Sequence, residues 1–167
     1  KMFVVGVDGG ATKTNAIVVN IDASSSSQTR SVVGRGSAGS TNRNSVGDSA
    51  ASTTMQAAIS YALKEAGVTR SDVVFAVLCL SGCDTEADVN FWKSDTSKFL
   101  DKATVSVEND SLAALCSGTD GDLSGIVVIS GTGSIGFGIG PGGSPRFRAG
   151  GWGPLLGDAG NGHSIGS

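Results

Sequence analysis

The sequence contains a single histidine, His163, and only three cysteines, Cys79, Cys83 and Cys116, among 167 residues. The cysteines form no paired framework, and the histidine stands far from them along the chain, which argues against a zinc site. A buried cysteine behaves as a small hydrophobe, and that is the role expected of all three. No apolar run approaches the roughly 20 residues needed to span a bilayer, and the first residues carry no signal-peptide pattern. The 12 basic and 15 acidic residues, a formal net charge of -3, are spread rather than blocked. That distribution argues against a nucleic-acid footprint and against a membrane-binding patch. The class left standing is a soluble, cytoplasmic protein that acts on small molecules. Asn109-Asp110-Ser111 matches the glycosylation pattern but means little without a secretory signal.

What the chain has in quantity is glycine, with 26 residues. Many fall between positions 131 and 166, where they bracket short apolar runs rather than form a linker. At this length one domain with a sizeable core is the default expectation. "MFVVGVD" and "TNAIVVNID" are β-branched runs joined by a Gly-Gly turn, which predicts a strand pair. "TRSVVGRGS" adds a third strand after the serine-rich loop "ASSSSQ", a solvated turn. The segment "SVGDSAASTTMQAAISYALKEAG" sets Ala51, Met55, Ile59 and Leu63 on one helical stripe, with Gly67 as the stop.

"DVVFAVLCLSG" is nearly continuously apolar, as a strand covered on both faces would be. "TEADVNFWKSDTSKFL" supplies one or two short helical stretches. "TVSVENDSLAALCSG" reads as a short strand ending in an acid, then a helix opened by Asn109 or Asp110. "GIVVISGTGSIGFGIG" is a further pair of apolar strands around glycine-rich turn residues. This alternation predicts an α/β fold with a mixed central sheet and helices on both faces. Ligands in such sheets bind beyond the carboxyl ends of the strands. Three turns carry the right residues for that edge, Asp8 to Thr14, Glu108 to Ser111 and Ser130 to Ser134, and they are expected to meet in one cleft. The chain ends at "GDAGNGHSIGS", where a new helix would be starting; the expectation is a truncated piece or one lobe of a larger protein.

A glycine turn flanked by hydroxyls lets backbone N–H groups approach a phosphate, because glycine has no side chain in the way. Neither "GGATKT" nor "GTGSIG" is a Walker P-loop. Each alone reads equally as an ordinary hairpin turn. Asp8, at a strand end, suits either a magnesium ion held directly or through water, or a turn cap. Asp110 suits either a helix N-cap or a base that accepts the proton of a hydroxyl attacking a γ-phosphate. In "AGGWGPLLGDAGNG", Trp152 reads as core or as part of a site, and Asp158 at a helix start can help fold backbone and carboxylate around a polar ligand such as a sugar.

Taken together, "VDGGATKT", "SVENDSLAAL", "VVISGTGSIGFG" and "GGWGPLLGDAGNG" resemble, in this order, four motifs of the sugar kinase, heat-shock ATPase and actin superfamily. Within it they are most similar to the N-acetylglucosamine kinases and the BadF/BadG-type ATPase family. The resemblance covers essentially the whole chain and implies an RNase H-like (actin-like ATPase) lobe, ATP with Mg2+ as cofactors, and phosphoryl transfer to a sugar. It implies that Asp8 helps place the magnesium, that Gly9, Gly10, Thr12, Lys13 and Thr14 lie along the phosphates, and that Asp110 is the base. It implies that Gly131, Thr132, Gly133 and Ser134 form a second phosphate turn. It also implies that Asn42, Ser81, Gly82, Gly151, Trp152 and Asp158 approach an amino sugar.

Three departures bear on the substrate. Ala11 stands where the family often has glycine. Cys83 replaces a second glycine of the amino-sugar kinases and would crowd the sugar. Ala159 replaces a frequent glutamate. The resemblance further implies a missing C-terminal lobe, a homodimer at full length, and a fragment with little activity by itself. Two other readings stay open: an ATPase coupled to a partner protein, and a sugar-binding regulatory module without catalysis.

Overall fold

A computed structural model describes residues 1–22, 29–119, 121–131, 133–152, 158, 160–162 and 165. The serine-rich loop at 23–28, Thr132, residues 153–157 of the glycine-rich block, Ala159 and His163 lie outside the described residues. The chain forms two compact units, Lys1–Asp110 and Ser111–Ser167.

The first unit begins with three antiparallel strands, β1 (Met2–Gly9), β2 (Thr14–Asp22) and β3 (Thr29–Ala38). A four-residue helix α1 (Arg43–Val46) and a long helix α2 (Asp48–Ala66) follow. Strand β4 (Val73–Leu80), helix α3 (Glu86–Phe99) and strand β5 (Thr104–Asn109) complete the unit. The sheet order is β3-β2-β1-β4-β5, with β4 parallel to β1 and β5 parallel to β4. This is the mixed sheet expected from the alternation of strands and helices.

Directly paired residues share a face of a sheet, so the register identifies the core side. Val5 pairs with Val18 and Ala76, and Val7 with Ala16 and Leu78. All six are buried, together with Met55 and Ile59 of α2 and Trp92 of α3. The helical stripe predicted at Ala51, Met55, Ile59 and Leu63 is buried, and Gly67 caps α2 in the left-handed conformation. The helix is shorter at its start than the periodicity indicates. Gly47, at φ 80°, breaks the segment and leaves α1 as a separate turn capped by Asn42. The segment 86–99 is a single helix, opened by a capping box in which Thr85 and Asp88 satisfy each other's backbone N–H groups.

Gly34 and Gly36 lie on the core face of β3, paired with Val18 and Ala16. A Cβ on Gly34 would meet the carbonyl of Ala62 and come 2.7 Å from the Ala66 nitrogen. One on Gly36 would meet the carbonyl of Ala58 and come 2.6 Å from the Ala62 nitrogen. Helix α2 therefore rests backbone to backbone on β3, with alanines on the helix and glycines on the strand.

The second unit holds α4 (Asp110–Gly118), whose first residue belongs to the first unit, and an antiparallel sheet β6-β7-β8. Its strands are β6 (Gly125–Ser130), β7 (Ser134–Ile139) and β8 (Arg146–Gly150). The β6–β7 pair matches the expected apolar hairpin. Strand β8 was not legible, because "RFRAG" is short, charged and fully or partly exposed. Among the described residues no helix is long and apolar enough to cross a membrane.

The packing of α2 on β3 gives a direct test. Gly36→Val drives a branched side chain into helix backbone, which cannot move away as a flexible side chain can. The unfolding free energy is expected to fall by about 3 kcal/mol, read as a lower urea midpoint at unchanged slope.

Candidate functional site

In the first unit every predicted site residue lies at one edge of the sheet. Strands β1, β4 and β5 run parallel, so Gly9, Leu80 and Asn109 end together. The antiparallel strands bring Thr14, the start of β2, and Ala38, the end of β3, to the same edge. The turn from Asp8 to Lys13, the Thr41-Asn42 loop, Ser81-Gly82 and Asp110 all follow from that edge.

The turn itself is tight: the Gly10 N–H donates to the Lys13 carbonyl over 2.8 Å. The Gly9 carbonyl accepts from the Ser81 N–H over 2.7 Å, tying the turn to the end of β4. A Cβ on Gly9 would collide with the Thr41 hydroxyl and lie 2.5 Å from Leu80 Cδ2. Glycine is needed there for space alone, since its φ is not in the left-handed region. Asp8, Thr12 and Lys13 are exposed. Asp8 pairs with Asn15 and Cys79, and Cys79 with Glu108, so two carboxylates share the face of the sheet away from the core.

Thr14 differs from its neighbours. It is fully buried, and its hydroxyl lies 3.0 Å from that of Thr41. The alternation of the strand turns this hydroxyl into the protein, so it braces the turn from beneath instead of lying along a phosphate.

Asn42 caps α1, its Oδ1 accepting from the Asn44 N–H over 3.0 Å. The same oxygen would lie 3.2 Å from a Cβ on Gly82, which sits at φ +74°. The two segments expected at a sugar therefore touch. Asp110 is the first residue of α4, one position beyond β5, and Asn109 before it donates from Nδ2 to Asp84 Oδ1 over 2.9 Å. An acid in the first turn of a helix also meets the favourable end of the helix dipole.

Cys83 corrects one expectation. Its side chain is buried in the core cluster with Leu80 and Trp92, so the sulfur points into the protein and does not crowd the loop surface. Burial first, and then the carboxylates of Asp88 and Asp84, push its thiol up to about 11, against the lowering effect of Arg43. Asp88 stands the other way. Partial burial raises its carboxyl, but the Thr85 hydroxyl and N–H, the Asp84 N–H and Arg43 together hold it below the usual range.

In the second unit the turn from Ser130 to Ser134 is closed by the Gly131 N–H donating to the Gly133 carbonyl over 2.9 Å. The Ser130 hydroxyl donates to the Gly160 carbonyl over 2.6 Å, and the Gly162 N–H to the Gly131 carbonyl over 2.8 Å. A Cβ on Gly133 would lie 3.0 Å from Oδ2 of the buried Asp158. The second glycine turn and Asp158 are thus one structure. Gly150 pairs with Ile135, so Gly151 and Trp152 leave β8 at the same end. Trp152 is 63 % exposed, which removes the core reading, and Arg148 lies 5.8 Å from its ring.

The first unit therefore gathers Asp8, Gly9, Gly10, Thr12, Lys13, Asn42, Ser81, Gly82 and Asp110. The second gathers Gly131, Gly133, Ser134, Gly151, Trp152 and Asp158. Sequence reasoning passed over Thr41, Arg43, Asp84 and Asp88 at this edge, and Asn161 beside Asp158. Only the capping pattern Thr85-x-x-Asp88 offered a local signal.

The BadF/BadG/BcrA/BcrD ATPase family model matches residues 5–167. An N-acetyl-D-glucosamine kinase of Dictyostelium discoideum is 36% identical over 174 residues, covering 99% of this chain and 52% of the relative. An N-acetylmuramic acid/N-acetylglucosamine kinase of Clostridium acetobutylicum is 30% identical over 164 residues, covering 98% and 51%. The chain spans about half the length of these curated relatives. A solved Porphyromonas gingivalis structure, provisionally assigned as an N-acetylglucosamine kinase, superposes with a TM-score of 0.71 at 23% identity, covering 98% of this chain and 53% of that one. That likeness establishes the fold.

The buried thiol predicts alkaline sensitivity. Folding favours the protonated form of Cys83, whose ordinary value is 9.0. Its contribution to stability is complete below pH about 9 and is lost as the pH rises through about 11. Melting temperatures across that window are expected to fall less steeply for Cys83→Ala than for the parent.

Proposed function

Because the chain belongs to the BadF/BadG/BcrA/BcrD ATPase family, we propose that the full-length protein is an ATP-dependent kinase of N-acetylglucosamine or a related amino sugar. This chain supplies its N-terminal lobe, and a C-terminal lobe completes it. The observation that carries the reading is the shared sheet edge. A glycine turn bearing Thr12 and Lys13, an acid at the start of a helix, and the paired segments of Asn42 and Ser81-Gly82 stand together where α/β sheets bind ligands.

In this reading the Gly9–Lys13 turn offers ATP phosphates the Thr12 hydroxyl, the Lys13 ammonium and N–H groups other than that of Gly10, which is held by the Lys13 carbonyl. The glycines and hydroxyls of the Gly131–Ser134 turn, in the second unit, suit a phosphate in the same way, with the Gly131 N–H held by the Gly133 carbonyl. Asp8 fits a magnesium ion: it is an exposed carboxylate at a strand end, and magnesium uses few carboxylates and keeps several waters. When bound there, the ion supplies charge neutralisation at the phosphates. In the first unit Asn42, Ser81 and Gly82 offer hydrogen-bonding groups suited to a sugar; in the second, Gly151, the flat indole face of Trp152 and the Asp158 carboxylate suit one as well.

The sugar hydroxyl attacks the γ-phosphorus in line. As its oxygen–phosphorus bond forms, the bond to the β-phosphate oxygen breaks, ADP leaves, and the hydroxyl proton passes to Asp110. Such transfer depends on positioning and charge stabilisation more than on covalent chemistry.

Two measurements test the reading. Full-length protein should phosphorylate N-acetylglucosamine with ATP. Asp110→Asn should lower kcat by about 10²- to 10⁴-fold while calorimetry still detects sugar binding; unchanged turnover would count against Asp110 as the base. The 1–167 chain alone is expected to show little turnover, since half a cleft cannot exclude water or complete the phosphate contacts. A rate near that of the full-length protein would refute that part.

A further inference from the structure

We propose that Arg43 is a positioning residue for the sugar subsite, holding the Asn42 segment against the Ser81–Gly82 segment by bridging to Asp88 and stacking on Phe91. The proposal rests on the amino-sugar reading above.

The physical problem is how Asn42 is held. It caps a helix of only four residues, too short to hold its own geometry, and it follows a loop. Its neighbour Arg43 supplies the missing anchor. Arg43 Nη1 lies 2.9 Å from Asp88 Oδ1, across 45 positions of sequence. The guanidinium carbon lies 3.9 Å above the centre of the Phe91 ring. Phe91 meets Trp92 edge to face at 5.2 Å, and Trp92 is buried in the core.

Asp88 is itself immobilised. Its Oδ2 accepts from the Thr85 hydroxyl at 2.6 Å and from the Thr85 N–H at 3.1 Å. Thr85 lies three positions beyond Gly82, so the bridge ends on the segment that Asn42 touches. The Arg43 and Asp88 side chains are 21% and 22% exposed, which shields the pair more than an ordinary surface ion pair.

The arrangement needs arginine. Its planar head can stack on a ring while its fork donates in the plane, and a lysine ammonium cannot do both. Nε donates to Asp48 Oδ1 over 2.8 Å at the junction of α1 and α2, a local contact, while Nη1 makes the long-range one. A shift of Arg43 moves the preceding residue, Asn42, relative to Gly82, whose missing Cβ is what lets the Asn42 carboxamide stand this close. Sugar binding should suffer, while the phosphate turn, held by Thr41 and Ser81, stays in place.

Steady-state kinetics and calorimetry on the full-length protein test this. Arg43→Gln and Asp88→Asn are each expected to raise the KM and Kd for N-acetylglucosamine about tenfold or more. The kcat should stay within about threefold and the KM for ATP unchanged. The double variant should fall no further than either single one, as one shared contact requires. Asp48→Asn, which cuts only the local bond, should leave the sugar KM where it is. Arg43→Lys should recover only part of the affinity, and it carries the test if melting curves show that the glutamine variant does not fold.

Folded Arg43 and Asp88 variants with unchanged sugar KM and Kd overturn the proposal. So does an equal rise in the KM for ATP, the mark of general loosening. If wild-type protein turns over and is indifferent to Arg43, this proposal fails and the kinase reading stands. If wild-type protein neither phosphorylates nor binds the sugar, the kinase reading fails and takes this one with it.

Discussion

Three segments of chain meet over Gly9 because that residue has no side chain. The Thr41 hydroxyl and Leu80 occupy the space a Cβ would need, and the Ser81 N–H closes on the Gly9 carbonyl. Any larger residue would push the β3–α1 loop or the end of β4 outward. Both carry candidate ligand residues, Asn42 on one and Ser81 on the other. The geometry of the whole edge therefore depends on a close approach at one backbone position. The Thr14–Thr41 contact beneath it keeps the turn and the loop in register from the core side.

The sheet and its helix are held by a similar device farther from the edge. Gly34 and Gly36 let α2 descend onto β3, which sets the depth at which Met55 and Ile59 enter the core. The second unit uses glycine for a different purpose. There the turn at Gly131 to Ser134 is bound by main-chain and serine hydrogen bonds to the segment around Asp158 and Gly162, and Gly133 leaves room for the buried Asp158 carboxylate. In both units a glycine turn is fixed by contacts to chain distant in sequence.

Arg43 pairs with Asp48 and Asp88 at once. With Phe91 beneath it, this side chain links a four-residue helix to the core through an aromatic pair. Cys83, beneath the same group of charges, stays protonated near neutral pH because burial and carboxylates both oppose its ionisation. It is a packing residue of the core.

Much was legible from local pattern. The β-branched runs named β1, β2, β4 and β5, the stripe from Ala51 to Leu63 named α2, and the Gly67 stop was a local instruction. So was the chemistry of the turns, since glycine, threonine and lysine at strand ends are read without knowing what packs on them. Strand β8 escaped because "RFRAG" is short and carries no β-branched residue, and it pairs along the edge that β7 offers. Thr12 and Thr14 look equivalent in sequence, yet Thr12 stands exposed in the turn while Thr14, the first residue of β2, is buried against Thr41. Arg43 carried no signal, since Asp88 and Phe91 reach it only once α3 has packed. The sequence by itself determined which segments extend, which coil and where the glycine-rich turns fall, because those depend on neighbours within a few residues. Only the tertiary structure decided which hydroxyls face inward, where glycine is required for space, and which charge holds which loop, because those follow from strand register and from contacts between residues far apart in the chain.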